Sequence, residues 1–80
     1  MIEAILDNFP EESFLKADGF DEAIIGLEEP SLRLIYSVKK TIDILIEEGM
    51  TEEDALEHFY YNVSGAYVGD LTPIWCEDRF

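Results

Sequence analysis

The apolar positions of this chain change period along its length. Near the start, Met1, Ile5 and Phe9 recur at every fourth position with Ile2 and Leu6 beside them, while Glu3 and Asp7 fall opposite. That spacing predicts a short helix over 1–9, stopped by Pro10. So short a helix does not persist alone, so it needs a surface to dock on. The connective stretch over 11–19 offers Phe14 and Leu15 as anchors. Residues 23–27 and 32–37 then read as two strands around the turn Glu28-Glu29-Pro30-Ser31, making a hairpin. In the second strand Leu32, Leu34 and Tyr36 share the core face, and Arg33, Ile35 and Ser37 share the other. Ile35 makes that other face partly apolar, a surface for the N-terminal helix or for another subunit to cover.

From residue 38 the helical period returns. Val38, Thr41, Ile42, Leu45 and Ile46 form one stripe of a helix over 38–48, with Ile44 outside it. Gly49 suits the left-handed residue that ends a helix, and Met50 then folds back onto Leu45. Thr51 suits the next N-cap, and Glu52, Glu53 and Asp54 fill a first turn where the helix dipole favours negative charge. A stop followed at once by a start predicts a tight helical hairpin. The second helix presents Ala55, Leu56, Phe59, Tyr60, Val63 and Ala66 on one side, and Glu53, Asp54, Glu57, His58 and Tyr61 on the other. The small residues Ser64, Gly65 and Ala66 either let the helix end approach the sheet or break it. Gly69-Asp70 reads as a turn. Residues 72–76 read as a third strand, with Pro73 suited to an edge or a strand start. Residues 77–80 are expected to fray.

These elements add up to a single α+β domain over 1–80. Residues 18–76 are its core and 1–17 a helical appendage. The expected sheet is three-stranded and antiparallel, with the helices on one face.

Composition narrows what such a domain does. Hydrophobic residues make up 48% of the chain, too many for a disordered acidic segment. Yet a chain this short has a marginal core. The lone cysteine, Cys76, excludes an internal disulfide, so self-association is the remaining means of stabilisation. Nineteen acids against five bases give a formal charge of -14. Nucleic acid and anionic membranes are therefore excluded as partners, because phosphate contacts need Lys and Arg. No apolar run reaches the ~20 residues of a membrane span. Acids stand at the N-terminus where a signal peptide needs bases, which gives a cytoplasmic expectation. The sequon Asn62-Val63-Ser64 has meaning only in a secreted protein.

Three stretches, G-F-D-E-A-I-I-G from Gly19, G-M-T-E-E-D-A from Gly49 and G-A-Y-V-G-D-L-T-P-I from Gly65, carry a resemblance. The chain resembles a group of short uncharacterised proteins of bacteriophages and other mobile elements of environmental bacteria, over roughly residues 18–75. That group has no established activity, so the resemblance carries over no catalytic residue. It implies a mobile-element accessory protein that binds a host or phage protein.

Catalytic chemistry finds little footing. His58, the only histidine, sits mid-helix on the acidic side, and nothing aims a base at Cys76. Gly65 and Gly69 lack the Lys-Ser/Thr of a phosphate loop. No cofactor is expected. The densest charge runs from Asp43 through Glu47, Glu48, Glu52, Glu53 and Asp54 to Glu57, with no base among them. The bland reading of that run is a solubilising face. The sharper one is a docking surface for a basic patch, or at its extreme a mimic of duplex phosphates. The reading adopted is a non-enzymatic acidic protein–protein interaction module. Its partner-binding candidates are Asp43, Glu47, Glu48, Glu53, Glu57 and Tyr61. Homodimerisation is expected through Ile2, Ile5, Phe9, Ile35 and Ile44. The competing readings are a metal-dependent enzyme or factor using the oxygens of Asp18, Asp21 and Glu22, and a purely structural oligomer subunit.

Overall fold

In the computed structural model the chain runs α1 (Ile2–Asn8), a 3-10 turn (Asp21–Ala23), β1 (Ile24–Glu28), β2 (Arg33–Ser37), α2 (Val38–Glu47), α3 (Glu52–His58), a π-helical turn (Phe59–Val63) and β3 (Ile74–Cys76). Residues 1–63 and 69–80 are described. The small residues Ser64, Gly65 and Ala66 lie outside them, as does Tyr67.

Gly49 and Thr51 act as their chemistry requires. Gly49 has φ 111°, the Met50 amide donates to the Leu45 carbonyl at 3.3 Å, and the Gly49 amide donates to the Ile46 carbonyl at 3.0 Å. This pair of bonds is a Schellman stop. Two residues on, the Thr51 hydroxyl accepts from the Asp54 amide at 3.1 Å and opens α3. Ser37 opens α2 in the same way, accepting from the Lys40 amide at 3.0 Å.

β1 and β2 form the expected antiparallel hairpin, pairing Ile24 with Tyr36, Gly26 with Ile35, Leu27 with Leu34 and Glu28 with Arg33. Ile25 is the extra residue of a bulge. The connecting turn contains a cis Glu29–Pro30 bond. It extends to Leu32, which has φ 60° and is not part of the strand. The core face therefore belongs to Leu34 and Tyr36 without Leu32.

The third strand corrects the antiparallel expectation. The order is β1-β2-β3, and β3 pairs with β2 in parallel, Ile35 with Ile74, Tyr36 with Trp75 and Ser37 with Cys76, so the sheet is mixed. A helical hairpin alone returns the chain to where β2 ends, which would give an antiparallel strand. Here the chain re-enters beside the start of β2, where Arg33 Nε donates to the Thr72 carbonyl at 2.7 Å. Parallel pairing needs a long crossover, and residues 38–73 supply it. Pro73 immediately precedes this edge strand, where its missing N–H costs nothing.

The core joins Phe20, Ala23 and Ile24 to Leu34 and Tyr36 of β2, with Val38, Ile42, Leu45, Ala55 and Phe59 of the helices. Trp75 lies against Tyr36 at 4.9 Å between ring centroids and meets Phe59 edge-on at 5.2 Å. Ile5 brings α1 into the same core, so α1 docks on its own chain. Three side chains depart from their expected faces. Ile44 packs against the core because the 3-10 turn lies beside α2, while Ile46 is exposed. Tyr60 is 49% exposed, and its hydroxyl accepts from the Arg79 guanidinium at 2.7 Å. Residues 77–80 do not fray free: the Ser37 hydroxyl donates to Asp78 Oδ2 at 2.6 Å, and the Lys39 amide donates to Oδ1 at 2.9 Å.

Candidate functional site

Two elements distant in sequence build an acidic concavity. The 3-10 turn follows the Gly19 bend, at φ 90°, and carries Asp21 and Glu22. Its Ala23 is fully buried, which fixes the turn beside α2. The end of α2 contributes Glu47 and Glu48. Together these four carboxylates and Gly19 border an open cleft of about 510 Å³ whose apolar side chain is Ile44. Among the described residues, Lys16 pairs with Asp21 at 3.3 Å, and Glu22, Glu47 and Glu48 have no cation beside them. Carboxylates so placed repel one another, and a cation arriving from outside relieves that repulsion. The Ile44 side chain beneath them suits the aliphatic stem of a Lys or Arg.

The fold distributes the other acidic candidates. Asp43 does not border this cleft and pairs with Lys39 at 3.3 Å beside the α2–α3 groove. Glu57 and Tyr61 share a different hollow with Asp54 and His58, and Tyr61 is 80% exposed. Glu53 is exposed on the first turn of α3. The run that is continuous in sequence is therefore three surfaces in space. Asp21 and Glu22, read in the sequence as candidate metal ligands, join Glu47 and Glu48 instead. Asp18 borders a separate cleft with Leu15, Phe20, Pro73 and Trp75. Among the described residues no group of three His, Cys, Asp or Glu is placed to hold a metal ion.

His58 and Cys76 stand apart from any nucleophilic arrangement among the described residues. The His58 ring nitrogen Nδ1 lies 3.4 Å from the Asn62 amide nitrogen, and Cys76 is a half-buried free thiol in β3. Of the candidate self-association residues, Ile5 is 7% exposed and already covered within one chain. Ile2, Phe9 and Ile44 pack partly on that core. Ile35 is half-buried, with its Cδ1 3.8 Å from where a Cβ on Gly26 would stand.

The sequence reading missed the C-terminal segment. Asp78 accepts two hydrogen bonds at the start of α2, and these hold its carboxyl below the usual carboxylate range, the Ser37 hydroxyl first and the Lys39 amide second. Arg79 pairs with Glu77, and its guanidinium donates to the Tyr60 hydroxyl at 2.7 Å. Only an acid followed by a base near the end of the chain hinted at this. Among the described residues no helix is long and apolar enough to cross a membrane. Comparison with family models, curated proteins and solved structures gave no match.

Proposed function

We propose that this chain is a non-enzymatic interaction module that docks a basic segment of another protein. Its setting is that of a mobile-element accessory protein with a host or phage protein as partner. What supports the reading is the convergence around Ile44 of Asp21 and Glu22 with Glu47 and Glu48, pairs more than twenty residues apart in the sequence. Such a cleft takes an Arg or Lys by charge-assisted hydrogen bonds to its head and apolar contact with its stem.

The reading is tested with the full chain immobilised and exposed to a lysate of a matched host, alongside a Glu47→Lys, Glu48→Lys variant. The expected result is a discrete basic protein retained by the wild type, eluted by salt and lost by the variant, with the melting temperature nearly unchanged. Equal retention by both proteins, or no retention by either, would overturn it.

A further inference from the structure

The segment from β3 onward sits on the rest of the domain rather than inside it. Among the described residues, every buried apolar side chain lies between Ile5 and Phe59. β3 is three residues long, and all three are half-buried. It is held along one edge, by parallel pairing with β2, the weaker kind of ladder. Of its side chains, Trp75 packs against the core. Beyond β3 the contacts are polar: Asp78 with Ser37 and Lys39, and Arg79 with the Tyr60 hydroxyl. Phe80 is fully exposed and anchors nothing.

The neighbours of this segment have bonds of their own. The turn before it is closed on itself, the Thr72 amide and hydroxyl both donating to the Gly69 carbonyl, at 3.1 and 2.6 Å. The cap of α2, where the Ser37 hydroxyl accepts from the Lys40 amide, does not involve Asp78. β2 is paired with β1 along its other edge.

We infer that residues 74–80 are a strap that opens as one unit while the rest of the domain stays folded, with Asp78 as its latch. Regions with few buried apolar contacts and solvent-exposed hydrogen bonds open at less cost than the whole fold. Asp78 is the latch because its one carboxylate joins the strap to the start of α2 twice, at 2.6 and 2.9 Å. The Arg79 bond to Tyr60, at 2.7 Å, is a second fastening. Both lie past β3, so their release frees the strand from its far end. Opening bares the β2 edge from Ile35 to Ser37 and the face of the Tyr36 ring on which Trp75 lies. The inference uses no residue of the acidic cleft, so it and the docking proposal fail separately.

Hydrogen exchange of single amides in the full chain provides the test, read by NMR for the wild type, Gly49→Ala, Asp78→Ala and Arg79→Ala. In the wild type the amides of 74–76 that bond β2 are expected to be protected, yet to exchange faster than those of Ile42 and Leu45 inside α2. Gly49→Ala weakens the fold as a whole, so it should speed exchange in α2 and leave 74–76 as they were. Asp78→Ala should do the reverse, speeding 74–76 by about tenfold, the scale of one charge-assisted hydrogen bond lost. Exchange at 74–76 that is as slow as in α2, that rises with Gly49→Ala, that is unprotected in the wild type, or that is unmoved by Asp78→Ala overturns the inference. If Asp78→Ala fails to fold, Arg79→Ala decides. Faster exchange at 74–76 with α2 unchanged then supports the inference, and unchanged exchange overturns it.

Discussion

At the scale of single residues, Gly49 shows how a local signal becomes geometry. Its φ of 111° lies where L side chains are strained, and a Cβ placed there meets nothing within 4 Å. Replacing it costs backbone strain without a clash. Gly49→Ala should therefore destabilise the fold by about 1 kcal/mol, read from urea midpoints at unchanged slope. The Gly49–Thr51 pair was legible in the sequence because its partners lie within six residues on either side. Leu32 was not legible. Its φ of 60° follows from where the hairpin turn closes, with the Leu32 amide donating to the Glu28 carbonyl at 2.8 Å. Tyr60 was misplaced because its hydrogen-bond partner is Arg79, 19 residues away, which a local stripe does not reveal.

At the scale of elements, the two hairpins were legible and the third strand was legible only as a strand. Local periodicity says nothing about the end of the sheet at which a chain re-enters. That is decided by contacts such as Arg33 with Thr72, which are 39 residues apart. Asp78 was hidden in the same way, 41 residues from its Ser37 partner. Its bonds to Ser37 and Lys39 tie the end of β3 to the start of α2, and they favour the ionised carboxylate. Because the folded state lowers this pKa, the unfolded chain takes up the proton first as pH falls. The contribution is complete above the usual carboxylate range and disappears as pH drops through the depressed value. Asp78→Asn should lower the midpoint of thermal unfolding at neutral pH. The gap between wild type and variant should close progressively on acidification. A gap that stays constant down to strongly acid pH would show that the carboxylate charge contributes nothing.

At the scale of the whole molecule, charge dominates. The sequence announced an excess of acid but not its arrangement, because helix faces and the 3-10 turn sort neighbours in sequence onto different sides. Glu48 and Glu52 are four residues apart, yet one stands beside the acidic cleft and the other beside the α2–α3 groove, because the Gly49 stop turns the chain between them. Fourteen uncompensated charges on 80 residues repel one another across the folded surface. The Debye length falls from ~30 Å at 0.01 M salt to ~10 Å at 0.1 M. The melting temperature should accordingly rise with sodium chloride over that range, measured at a protein concentration low enough to keep the chain single. A salt-independent melting temperature would mean that the acids are too dispersed to act on one another.

The parallel pairing of β3 also bears on order in time. A chain made from its N-terminus carries both hairpins before Trp75 exists. At that stage Tyr36 and Phe59 lack the ring that lies against them both, and the start of α2 lacks Asp78. The edge of β2 that Ile74, Trp75 and Cys76 will occupy is still open. Completion of the fold is thus assigned to the segment that arrives late. Trp75, the chain's single indole, is its natural reporter, since the packing of that ring on Tyr36 and Phe59 belongs to this step.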